Sequence, residues 1–153
     1  MPYFNSRDIA VIALSAAFWG VLNSIFSPLV FQLIRLPILC DLLGFTALTI
    51  TVWWTRKLGA TALVGLIATA INFTLNPTGT QFLGFTAASI VFDVTTRLVT
   101  YDNTFKKPLN TTLAMVPIST LSASVAGYII GTYFLVGPSL AQWGVLGWTM
   151  LHA

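Results

Sequence analysis

Four acids, Asp8, Asp41, Asp93 and Asp102, together with one histidine, His152, and one cysteine, Cys40, are all the chain offers for acid–base, metal or thiol chemistry. There is no glutamate. A paired-carboxylate site, a His-rich metal site and a Ser-His-Asp set each need more such groups close together than this inventory holds. The chain therefore reads as non-catalytic, with no cofactor and no metal. One cysteine allows neither an intrachain disulfide nor a zinc or iron–sulfur spacing, and Cys40 reads as a small buried side chain.

What remains is recognition chemistry. Asp41 opens an apolar segment, and a carboxylate at such a place is a helix N-cap, a partner for Arg35, or a ligand contact. Asn23, Asn72, Asn76 and Gln81 should share its half of the molecule, and Asn72 and Asn76, spaced i, i+4, share one helix face. Phe85, Tyr128, Tyr133 and Trp143 fall in the same half. Amides and a carboxylate among stacking rings suit a flat polar heterocycle. The same residues also suit an interfacial aromatic belt with amide hydrogen bonds between helices.

The elements that must position these groups are membrane helices. Hydrophobic residues make up 56% of the 153 and charged ones only 7%, against roughly 25% charged in a soluble domain; the mean hydropathy is +0.86. The expected fold is all-α, a single integral membrane domain over 1–153, a polytopic bundle of about six transmembrane helices. The first run, Asp8 to Ser27, is long enough to cross a bilayer at 1.5 Å per residue. Ala10, Ala13, Ala17 and Gly20 lie on one stripe of it, where another helix can approach closely. The span should end near Pro28. Leu29 to Cys40, broken by Arg35 and Pro37, reads as a surface or re-entrant connection.

Further spans are expected over Asp41–Thr55, Ala60–Asn76, Phe82–Val99 and Leu109–Val136, the last kinked or late-starting at Pro117. Asn76-Pro77-Thr78-Gly79 is a turn signal, Tyr101 to Pro108 a hydrophilic loop, and Gly137-Pro138 a break. Ser139 to Ala153 opens a sixth helix that is either short or cut off before its natural end. Asp93 and Arg97, spaced i, i+4 on the fourth helix, should neutralise each other or meet a cytoplasmic partner subunit. Arg7, Arg56, Lys57, Arg97, Lys106 and Lys107 fall on one side of this arrangement and only Arg35 on the other, which predicts both termini cytoplasmic. A net charge of +3, scattered at span ends, gives no sign of nucleic acid and points to lipid headgroups.

Ala13-x-x-x-Ala17 followed by Phe18-Trp19-Gly20, TRKLGATALVGLIATAINF from Thr55 to Phe73, and LGFTAASIVFDVTTRL from Leu83 to Leu98 carry a resemblance. The chain resembles the substrate-binding S component of energy-coupling-factor (ECF) vitamin transporters, within them the thiamine-precursor group. The resemblance implies a multi-pass protein of a prokaryotic plasma membrane that captures a small vitamin. Its partners would be a transmembrane T subunit, met by Ala13 and Ala17 with Gly20 extending the contact, and cytoplasmic ATPases. The family offers no pocket motif strict enough to transfer, so the candidate ligand residues stay Asp41, Asn72, Asn76, Gln81, Phe85, Tyr128 and Trp143. The rival expectation is a non-catalytic accessory subunit of a larger membrane complex, such as a membrane-bound oxidoreductase. There the other membrane subunits are the partners and the small-residue stripe is a packing surface.

Overall fold

The computed structural model describes residues 3–135 and 138–153, and among them there are helices and no strand. The helices are α1 (Ser6–Ile34), α2 (Ile38–Thr55), α3 (Ala60–Leu75), α4 (Leu83–Val99), a four-residue turn α5 (Tyr101–Thr104), α6 (Pro108–Ile129) and α7 (Pro138–His152). A 3₁₀ turn, Thr80–Phe82, leads into α4, and a π-helical segment, Ile130–Phe134, prolongs α6. Four segments are long and apolar enough to cross a membrane: Ser6–Ile34, Ile38–Thr55, Thr80–Val99 and Pro108–Phe134; α3 is a shorter apolar helix. Large apolar side chains stand exposed along the helices, among them Leu14, Leu98, Leu113 and Met150. A bundle dressed in this way suits a lipid surrounding better than water.

Three expectations are corrected. Pro28 lies inside α1, which continues to Ile34, so the broken connection shrinks to Arg35, Leu36 and Pro37. A proline removes one helical N–H donor and is more readily tolerated in an apolar, helix-packed setting; the nearby hydroxyls of Ser24 and Ser27 are engaged elsewhere, on the Gly20 carbonyl and on Asn23 Oδ1. Arg35 ends the helix in the left-handed conformation (φ 63°), its N–H donating to the Phe31 carbonyl at 2.8 Å. Pro117 neither delays nor divides its helix, since α6 runs from Pro108, a favoured first helical position, through Pro117 to Ile129. The irregularity comes later, where the Leu135 N–H reaches the Ile130 carbonyl, five residues back, at 2.8 Å. Val136 and Gly137, the expected close of this span, lie outside the described residues.

The third correction concerns Asp93. Its carboxylate does not pair with Arg97; it accepts from the N–H of Gly59, which precedes the first residue of α3. The α3 sequence begins with no side-chain cap of its own, so a carboxylate from α4 answers the unpaired N–H groups and positive dipole of that helix start. Arg97 instead lies over the Tyr101 ring, 5.7 Å from its centroid. Around this basic end Lys57 Nζ donates to Asp8 Oδ2 at 2.7 Å and to the Tyr3 carbonyl at 2.8 Å, and Arg56 pairs with Asp102 at 3.3 Å. Burial among these groups pushes the Tyr101 phenol up to about 12.

Neighbours in the bundle run α2, α1, α3, α4, α6, α7. Trp19, Leu48, Val52, Val64 and Phe92 fill the shared core and are fully buried. The contact with α7 is close because Gly127 of α6 and Gly131 of the π-helical segment after it both face that helix. A Cβ at Gly127 would come 2.9 Å from Thr149 Cα and 3.0 Å from His152 Cβ, and one at Gly131 would lie 3.3 Å from Val145. This docking leads the last turn of α7 back towards α2. Gly144, at φ 60° and ψ 176°, kinks α7 just before the docked stretch.

Thr100 closes α4 at φ 72° and ψ 114°, a conformation that a β-branched residue adopts only under strain, and its side chain is exposed. Thr100→Gly relieves this strain and stabilises the protein by about 1 kcal/mol, read as a higher melting temperature in detergent. An unchanged or lower midpoint refutes it.

Candidate ligand cavity

Between α1, α2, α4, α6 and α7 lies a cavity of about 430 Å³. One wall is aromatic: Trp19 of α1 and Phe85 of α4 stack with centroids 3.7 Å apart and planes 11° from parallel. The Trp19 indole N–H is held by the Cys40 carbonyl at 3.1 Å, which fixes the ring's rotation. Gly44 of α2 makes room for this stack, since a Cβ there would lie 2.8 Å from Phe85 and 3.0 Å from the Trp19 nitrogen. Facing it are Phe31 of α1 and Trp148 of α7, edge to face at 6.0 Å and 74°.

The polar edge is made by Asp41 and His152. Asp41 stands in the first turn of α2, and its Oδ1 is 2.9 Å from Nδ1 of His152 in the last turn of α7. This is the partner that Arg35, turned away as the cap of α1, does not supply. The pair spans the seam where the ring of helices closes. Outside it an open groove between Ile38, Leu42, Ile50 and Leu151 shares Asp41, Phe45 and His152 with the interior cavity. Those three residues are therefore the partition between the cavity and the outer face.

The sequence-selected residues divide. Asp41, Asn76, Gln81 and Phe85 line the cavity together. Asn72 does not: it is fully buried, with Nδ2 donating to the Ala68 carbonyl at 2.9 Å and Oδ1 accepting from Asn23 Nδ2 at 3.3 Å, beside Ser24 Oγ at 2.8 Å. It clasps α3 to α1. Tyr128 and Tyr133 are exposed, and Trp143, half-buried, is not part of the lining. The small-residue stripe also divides. Ala10 and Ala13 are exposed and Ala17 half-buried, whereas Gly20 is buried against α3, where a Cβ would lie 3.0 Å from Ile71 and 3.2 Å from the Ala68 carbonyl.

Trp19, Phe31, Trp148 and His152 were not selected from the sequence for the cavity. A signal did exist. The one histidine of the chain, four residues after a tryptophan on an apolar helix, is a candidate partner for an aspartate within an apolar segment.

The arrangement can hold a flat ring beside Phe85, whose stack on the fully buried Trp19 stiffens that wall, while polar groups at one edge fix its orientation. Among the described residues no cluster of three or more potential metal ligands occurs. No protein-family model, no curated protein and no solved structure matches the chain.

Proposed function

We infer that this chain is a substrate-capture subunit of a membrane importer, of the kind the ECF S component exemplifies, and that it hydrolyses nothing itself. The observation that carries the reading is the interior cavity with an aromatic stack on one wall and a carboxylate–imidazole pair at its edge. A subunit serving only as packing fills such a volume with its own side chains. The ligand is a small flat heterocycle, a thiamine precursor or another pyrimidine compound. The basic end, with Arg7, Arg56, Lys57 and Arg97, faces the cytoplasm of a prokaryotic cell, and the Asp41 end faces outward. In this placement α1 to α4 and α6 cross the plasma membrane, and α7 enters from outside as far as Asp41. The exposed Ala13 and half-buried Ala17 then form the contact with a T subunit, which cytoplasmic ATPases drive.

A second reading, an accessory subunit of a larger membrane complex, is favoured by Asn23 and Asn72, whose amides are committed to helix packing. One experiment separates the two. The native complex is purified in mild detergent, and its protein partners and retained small molecules are identified by mass spectrometry. ATPase and T subunits, or a bound heterocycle, support capture. Subunits of a membrane enzyme with no small molecule overturn it and make Ala13 and Ala17 assembly contacts.

A further inference from the structure

The interior cavity and the open groove outside it share Asp41, Phe45 and His152. A wall that belongs to two spaces is one side chain thick. Among the described residues α7 packs on α6 and on the π-helical segment, and it meets α2 through little besides the 2.9 Å contact between Asp41 and His152. The two ends of that contact are held differently. His152 is wedged: a Cβ at Gly127 would come 3.0 Å from its Cβ and 3.2 Å from its Cδ2, and the Trp148 ring lies across it at 5.5 Å and 67°. Phe45, one turn along α2 from Asp41, is steadied from within by the Phe92 ring at 6.0 Å. Asp41 has 22% of its side chain exposed against 4% for His152, and the groove beside it leaves the carboxylate room to turn. It stands in the first turn of α2, close enough to the end of the bundle to turn towards hydrated headgroups rather than hydrocarbon. When it does, a gap opens between Phe45 and His152.

The geometry points to a lateral portal between α2 and α7, barred by the Asp41–His152 contact, through which an uncharged flat ligand passes from the lipid into the cavity. This deepens the capture reading above and rests on it. The groove leading to the bar follows α2 from Ile38 to Ile50, about 18 Å at 1.5 Å per residue, and Leu42 and Leu151 make its sides apolar. Such a groove admits a ring that dissolves in lipid and turns away a charged solute, which hydrocarbon excludes. With the Asp41 end outward, the portal meets the outer leaflet. Asp41 is the moving part, His152 the post it closes on, and Phe85 the wall the ring meets once inside.

Cys40, the only cysteine of the chain, is half-buried on the cavity lining, so its modification reports a reagent's arrival inside. The full chain in lipid nanodiscs is treated with N-phenylmaleimide, a flat uncharged ring that dissolves in lipid, and with a sulfonated maleimide that stays in water. Leu42 is exposed and lines the groove but not the cavity. The expected result is that Leu42→Trp, which fills the groove, slows N-phenylmaleimide roughly tenfold and His152→Ala, which removes the bar, speeds it by a similar factor, the worth of about one hydrogen bond. The sulfonated reagent changes little in either variant. If His152→Ala does not fold, Leu42→Trp decides. An equal change with both reagents, which a general loosening of the fold produces, overturns the portal and leaves capture from water standing. So does an unchanged N-phenylmaleimide rate in Leu42→Trp, or a Cys40 that neither reagent reaches until the protein is unfolded. Excess methyl-aminopyrimidine, added as a probe, should protect Cys40; no protection at millimolar concentration overturns the capture reading, while the two labelling rates still decide the portal.

Discussion

Asp41→Ala lowers stability in detergent by about 3–5 kcal/mol, the scale on which removing one member of a buried charged pair acts. The basis is the 2.9 Å contact to His152, whose side chain is 4% exposed while that of Asp41 is 22% exposed. Alanine leaves the imidazole buried without its counterpart at a place where few other contacts hold α7 to α2. His152→Ala has the mirror effect, somewhat smaller because the more exposed carboxylate can turn towards the open groove. The decisive variant is the double one. Asp41→Leu with His152→Leu removes both polar groups together, and its stability returns close to that of the unmodified protein, because the desolvation of the pair offsets most of its attraction. Thermal unfolding of the four proteins in one detergent checks this. Additive losses, with the double variant the least stable, would show that the two side chains do not act as a pair.

Gly65→Ala destabilises by about 1–3 kcal/mol or more, as overpacking of a close helix contact does. A Cβ on Gly65 of α3 would lie 1.8 Å from Ser89 Oγ and 2.6 Å from Ser89 Cβ on α4. Turning the Ser89 hydroxyl to another rotamer clears the first clash and leaves the second, so the two helices must separate. Among the links that cross the same interface, three are short: Thr86 Oγ1 to Thr69 Oγ1 at 2.8 Å, Thr69 Oγ1 to the Phe82 carbonyl at 3.1 Å, and the Asp93 carboxylate on Gly59 N–H. All three stretch if the helices part. Ser89→Gly in the Gly65→Ala background empties the space and restores most of the loss, a coupling that a double-mutant cycle on melting temperatures measures. Failure of Ser89→Gly to rescue would place the damage elsewhere than this contact.

The helices could be read from the sequence because lipid solvation writes itself into long apolar runs. The ends at Thr55 and Val99 and the start at Ala60 fall where an Arg-Lys pair, a polar loop and a glycine interrupt those runs. Pro28 misled, since the rule that proline ends a helix is stricter in water than for long apolar helices packed among others. Asp93 misled for a different reason. Spacing along one helix offered Arg97, while the third dimension offered the bare start of α3, and a helix N-terminus in an apolar setting makes the stronger demand. Of the cavity, the sequence points to four lining residues: Asp41, Asn76, Gln81 and Phe85. Its edge at Trp148 and His152 rests on α7, whose approach to α2 depends on Gly127 and Gly131 and joins residues 111 apart in sequence. Periodicity within a segment carries no record of that meeting.

The clasp between α1 and α3 also bears on the order of synthesis. Asn23 is made 49 residues before the Asn72 amide that completes its bonding, so for that interval its carboxamide enters the bilayer without its final counterpart. Ser27, one turn further along the same helix, already supplies a hydroxyl to Asn23 Oδ1 at 2.5 Å. The nascent first helix thus answers the acceptor half of its own amide from within, and only the donor half waits for the third helix to arrive.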